Sequence, residues 1–229
     1  MTTMNDAFQN IATRATRARC AAVAGIAAVL LAAGCGALPD KPARATLYDF
    51  GPNLAASTAP APANPHALPP IALAEIEAGT RLEGTQLLYR LGYADANQLR
   101  PYGQSRWSLA PAQLLHERLR EALAARRTVL GPEESATIAR SEGRVPDTLR
   151  VSLEEFSHYF ESPTRSVGLV RLRATLIRSH AGGDRVLAQQ SFMAQQPAPS
   201  GDAPGGVKGL AAASEAAVAA LVAWVDQPR

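Results

Sequence analysis

The chain has 229 residues and an excess of only three positive charges, and a hydrophobic fraction of 47% is enough for a buried core. That excess belongs to Arg14, Arg17 and Arg19 near the N-terminus; beyond them acids and bases nearly cancel, and no basic patch with interleaved aromatics occurs. Nucleic acid is therefore excluded as a partner.

The first predicted element is a secretory signal over residues 1–34. The three arginines form its positive region, Ala21–Leu31 its apolar run, and Leu31-Ala32-Ala33-Gly34 a small-residue cleavage site followed by Cys35. The apolar run is well short of the ~20 residues that span a bilayer. A cysteine directly after the cut is the mark of a bacterial lipoprotein. Its thiolate takes a diacylglycerol, and the amine freed by cleavage takes a further, palmitate-type chain. Each buried methylene contributes about 0.8 kcal/mol, and two or more chains anchor stably where one does not. Cys35 is thus the expected lipidation site and the membrane anchor. Gly36 follows it, where an aspartate would retain a lipoprotein in the inner membrane of an enteric-type cell. This favours the periplasmic face of the outer membrane. Of the two cysteines, Cys20 leaves with the signal and Cys35 is lipidated, so the mature chain has no disulfide and depends on packing.

Residues 35–45 read as a lipidated tether reaching at most ~35 Å, and 46–227 as one domain. Thr46–Phe50 is a predicted strand. Pro52–Pro70, rich in Pro and Ala, blocks ladders and helices and leaves two readings, disorder or function. Ile71–Ala78 and Thr85–Tyr93 read as strands of a hairpin between Gly79 and Gly84. Arg100–Trp107 reads as an irregular aromatic segment. Pro111–Ala125 is the clearest helix, with Ser108 as candidate N-cap and Leu114, Leu115, Leu119, Ala122 and Leu123 on one face. A short helix is expected from Pro132, where Glu133 and Glu134 suit its N-terminal dipole.

Three strands follow. Leu149, Val151 and Leu153 alternate with polar neighbours, as do Val170, Leu172, Ala174 and Leu176. Asp184–Ala194 follows the turn His180–Gly183, and turn chemistry makes the last two strands a hairpin. Gln195–Gly206 reads as a linker and Val207–Asp226 as a terminal helix with Leu210, Val218, Leu221, Val222 and Val225 as its apolar set. That helix is expected on the same sheet face as the Pro111–Ala125 helix. The predicted fold is α+β: a single domain, mainly antiparallel sheet, packed against two or three helices.

Chemistry-bearing patterns are sparse. His66, His116, His158 and His180 lack metal-ligand spacing and have no free cysteine to join them. They read as ordinary solvated histidines, His158 being a strand residue with a hydrogen-bond partner. Gly103-Gln104-Ser105 is only half a nucleophile elbow, and Gly205–Gly209 lacks the phosphate-loop spacing. Glu154 and Glu155 point to opposite faces of a regular strand. No catalytic residue, metal or cofactor is expected, and the chain reads as a non-enzyme. What remains is the cluster Tyr89-Arg90, Tyr102 and Arg106-Trp107 in a chain only 5% aromatic. Arginine beside Tyr and Trp suits an interface; the alternative is that Tyr102 and Trp107 close the end of the core.

The same segment, with Pro111 and Leu114-Leu115 behind it and Leu47-Tyr48-Asp49-Phe50-Gly51 ahead, resembles the ABC-type transport auxiliary lipoprotein component family, the PqiC-like lipoproteins. The resemblance covers roughly Ala45 to the terminal helix and is densest from Tyr89 to Leu123. It implies an antiparallel-type sheet covered by helices. It also implies a periplasmic MCE-domain protein as partner, with an ABC permease and ATPase in the inner membrane, in systems moving phospholipids or other hydrophobic solutes. A homo-oligomeric ring is one assembly it allows. Two rival functions stand beside this one: a lipid carrier with an enclosed cavity, and an assembly lipoprotein for an outer-membrane barrel.

Overall fold

In the computed structural model the described residues are 44–52, 68–135, 137, 145–180 and 182–228. The expected signal, Cys35, the tether up to residue 43 and residues 53–67 of the Pro-rich loop lie outside them.

In chain order the elements are β1 (Thr46–Tyr48), β2 (Ile71–Leu73), β3 (Glu77–Ala78), β4 (Gln86–Leu91), the helical turn α1 (Gly92–Asp95) and β5 (Ala96–Trp107). Then come α2 (Pro111–Ala124), β6 (Val129–Leu130), β7 (Asp147–Ser162), β8 (Arg165–His180), β9 (Gly183–Pro197) and α3 (Ala203–Val225). Among the described residues the strands form one sheet of nine. Its long ladders are antiparallel: β7 with β8, and β8 with β9. The other edge of β7 is filled in succession by β2, β3 and β4, all parallel to it. Beyond them β4 pairs antiparallel with β5, β5 parallel with β1, and β2 parallel with β6.

The alternation read in β7 and β8 has its expected cause. Leu149, Val151, Leu153, Phe156, Val170, Leu172 and Ala174 are buried on one face, and both long helices share that core. From α2 come Leu114, Leu115, Leu119 and Leu123; from α3 come Leu210, Val218, Leu221, Val222 and Val225. Burying a side chain of this size contributes roughly 1.5–3 kcal/mol relative to leaving it exposed.

Four local expectations are corrected. Residues 71–93 do not form a hairpin. The chain pauses after Leu73, makes a 3-10 turn at Thr80–Leu82 whose Leu82 is buried, and continues in the same direction along β7. The long free edge of β7 outweighs the local glycine punctuation. Arg100–Trp107 is not irregular but the second half of β5. Its Pro101 is tolerated because β1 covers only Ser105–Trp107, leaving the preceding residues an edge among the described strands. The N-cap of α2 is Ala110 rather than Ser108. The Ser108 amide instead donates to Tyr48 O at 2.7 Å, extending the β1–β5 seam, while Gln113 Oε1 accepts from the Ala110 amide at 3.2 Å. Finally, much of the expected linker 195–206 is structured: β9 runs to Pro197 and α3 starts at Ala203. Asp202 caps α3 by accepting from the Gly205 amide at 2.9 Å. The expected helix start at Pro132 is present, with the Glu134 carboxylate accepting from the Gly131 amide at 2.7 Å.

The glutamate pair is a fifth correction. The register of β7 against β8 shifts between Leu153 and Glu155, and Glu154 and Glu155 are both half-buried between buried Leu153 and Phe156. The bulge puts both carboxylates on the sheet face away from the helices.

Candidate functional site

Two residues of the predicted segment meet in space, in a cluster under α3 rather than as an open docking patch. Tyr89 on β4 and Tyr102 on β5 lie with ring centroids 4.7 Å apart. Tyr102 Oη is 2.8 Å from His158 Nδ1, and His158 Nε2 is 2.7 Å from Ser166 Oγ. Neutral imidazole has one donor and one acceptor nitrogen, and either hydroxyl can take the complementary part. Phe160 also packs against the imidazole, with centroids 4.4 Å apart. The roof is α3: a Cβ on Gly206 would stand 2.5 Å from His158 Nδ1.

His158 is fully buried, not solvated as expected. Phe156, His158 and Phe160 share one strand face, which is the sequence signal that could have revealed it. Burial lowers the His158 pKa to about 4 against the smaller, opposing pull of Asp202. Burial, with Tyr89 and Asp202 nearby, pushes the Tyr102 hydroxyl above its ordinary value. Asp202 itself is held below the usual carboxylate range by the Ser200 hydroxyl and the Gly205 amide. At neutral pH the cluster is therefore an uncharged His158 between two hydroxyls.

A pH dependence follows. Because the folded state disfavours the imidazolium, His158 is proton-free in both states above pH 6.5. As pH falls from there towards 4, the unfolded chain takes up a proton that the folded chain does not. About 3 kcal/mol of stability is lost across that window. Denaturation midpoints should fall between pH 6.5 and 4 in the wild type, with a shallower fall in His158→Gln. Equal slopes in the two would contradict this account.

The other predicted residues are occupied within the fold. Arg90 makes a bidentate contact with Glu155 at 3.1 and 3.2 Å and donates to Ala96 O at 3.1 Å, tying β4 to β7 and to the start of β5. Arg106 Nη1 donates to Tyr102 O and Ser105 O at 2.8 and 2.9 Å. Trp107 is 1% exposed and packs edge-on against Phe50 at 5.7 Å and Phe156 at 5.5 Å. A ring so enclosed offers no area to a partner, so the reading of Trp107 as an interface anchor gives way to its core alternative.

Sequence reasoning did not single out Arg118 on α2. It is buried in the seam between helices, donating to Gly51 O at 2.8 Å and pairing with Glu215 at 2.9 Å. His116, expected exposed, is half-buried 3.8 Å from Glu75.

His158 and Ser166 are within hydrogen-bond reach of each other, and both are buried. Among the described residues no group of His, Cys, Asp and Glu could hold a metal. Three hollows among the described residues open onto the surface, of about 290, 430 and 480 Å³. Two flank Asp49–Gly51, and the third lies over Glu154, Arg171 and Arg173.

The family model of the ABC-type transport auxiliary lipoprotein component matches residues 48–223, from β1 to the last turns of α3. The chain belongs to that family. This auxiliary lipoprotein is similar in structure to protein XCC0632 from Xanthomonas campestris, of family DUF330. The TM-score is 0.64 at 18% identity, over 79% of this chain and 94% of that one; the likeness shows a shared fold. Looser likenesses are to the hypothetical protein CT253 from Chlamydia trachomatis and the PelC dodecamer from Paraburkholderia phytofirmans. The first has TM-score 0.47 and 11% identity, covering 69% of this chain and 96% of that one. The second has TM-score 0.40 and 14% identity, covering 69% and 88%. No curated protein matches the auxiliary lipoprotein. Its family is a transport component of the lipid-anchored cell envelope, not a known enzyme family.

Proposed function

We propose that this chain is the non-enzymatic adaptor of an ABC transporter with a periplasmic MCE-domain protein, anchored through Cys35 to the periplasmic face of the outer membrane. The transported solute is a phospholipid or another hydrophobic molecule that passes through the partner rather than through this domain. The observation that carries the reading is a family match spanning the whole sheet–helix domain, joined to a core filled by its own side chains. A carrier needs an enclosed apolar chamber, whereas three hollows among the described residues open onto the surface. Docking needs only a rigid shape held at the membrane, which the lipid anchor and short tether supply.

A crosslinked pull-down of the full-length lipoprotein from membranes, read by mass spectrometry, tests this. Recovery of an MCE-domain protein with its permease is the expected result. Recovery of an outer-membrane barrel alone would replace the adaptor with an assembly factor.

A further inference from the structure

Among the described residues β9 pairs with β8 alone, so its other edge presents unpaired amides and carbonyls along a fifteen-residue strand. Natural edge strands are normally guarded by lysines, prolines, inward charges or short length. β9 has none of these over most of its length. From Val186 to Gln196 it carries no charged residue and no proline. Two exposed apolar side chains, Val186 at 59% and Met193 at 66%, stand on it.

The next strand supplies the complementary fact. Arg171 pairs with Met193 and Arg173 with Ser191, and both arginines are about half exposed, at 47% and 49%. They share one carboxylate, Glu154, at 3.1 and 2.7 Å, and Arg81 donates to the Glu154 carbonyl at 2.7 Å. Glu77, opposite Ser152 on β3, is a second acid of this region. With Arg150 also exposed, arginines remain in excess on this side of the sheet. Arg173 stands beside small Ser191, and its side chain is long enough to lean across the ~4.8 Å width of one strand.

We propose that the open edge of β9 takes up an extended segment of a periplasmic partner protein as an added strand, with acidic side chains at its outward, alternate positions. Main-chain bonds to the edge give affinity. Carboxylates facing Arg171 and Arg173 set register and choice. A second copy of this chain is the poorer occupant, because pairing β9 with β9 would bring two more arginines onto a face already rich in them. The inference rests on the docking reading above.

The test uses full-length lipidated protein in nanodiscs and two synthetic decapeptides, alternating Glu-Val and alternating Lys-Val. The Glu-Val peptide should slow hydrogen exchange along Val186–Gln196 and bind at least about tenfold more tightly than Lys-Val at low salt, the gap closing as salt rises. Met193→Glu should remove the preference and Met193→Lys should keep it. Equal binding of both peptides, or exchange at β9 unaltered by either, would overturn the proposal. So would protection of β9 without peptide that grows with protein concentration, since the occupant would then be a second copy. In membranes, a Ser191→Glu, Met193→Glu variant should lose the transporter partner. If it retains the partner as fully as the wild type does, this edge is not the docking site and the adaptor reading stands. If the wild type itself captures no transporter component, the adaptor reading fails.

Discussion

Trp107→Ala is expected to lower stability by about 3–5 kcal/mol, enough to unfold a large share of a marginal domain. The indole is enclosed by Phe50 and Phe156 at the junction of β1 and β5, so its removal opens a void that neighbouring rings cannot fill without moving the N-terminal seam. Trp107→Phe should cost far less. It keeps an aromatic ring in the site, and the indole nitrogen has no hydrogen-bond partner among the described residues. Chemical denaturation reads both. If the alanine variant instead kept its midpoint and lost only partner capture, Trp107 would be an interface residue and the packing described here would be wrong.

The second large effect is expected at Gly168, where α3 meets the sheet backbone to backbone. A Cβ on Gly168 would stand 2.1 Å from the carbonyl carbon of Gly209 and 2.3 Å from the Leu210 amide nitrogen. No side-chain rotation relieves such a contact, so Gly168→Ala must push the helix away. The cost should reach the upper end of the overpacking range, about 3 kcal/mol. Gly103→Ala is the control, since its added methyl meets nothing within 4 Å. A further readout separates helix displacement from general instability. His158 pairs with Gly168 across β7 and β8 and lies under Gly206 of the same helix. Lifting α3 admits water to the imidazole, and its pKa should climb from about 4 towards the ordinary histidine value. An NMR titration in which His158 stays where it was would contradict this role for the glycine contact.

These residues also mark where the sequence was and was not legible. β7 and β8 were readable because one face of each lies under helices, which enforces period two. β5 was not. Pro101 and Gly103 look like loop residues, and they sit in a strand only because its outer edge there carries no described neighbour. The start of α3 was hidden for a similar reason. Pro204, Gly205 and Gly206 read as a linker, yet proline suits a first helical turn and glycine is required where the helix presses on His158. The false hairpin over residues 71–93 arose because the true partner of all three short strands is β7, which no local pattern can announce. Of the candidate site, the expected lipobox at Cys35 rests on local sequence alone and lies outside the described residues. Tyr89 and Tyr102 meet on the helix face, whereas Arg90 stands on the other face of the sheet with Glu155. Their partners, His158 and Glu155, come from a distant strand, so the sequence could not say which of these side chains turn to the core and which to the other face.

We propose that this protein works through its surface and its lipid anchor, not through an internal chamber. Native mass spectrometry of the full-length lipoprotein, released gently from membranes, tests it most directly. The expected spectrum shows the chain with the acyl groups of Cys35 and no stoichiometric phospholipid besides. A tightly held lipid, one per chain and retained through purification, would contradict the account and make the domain a carrier.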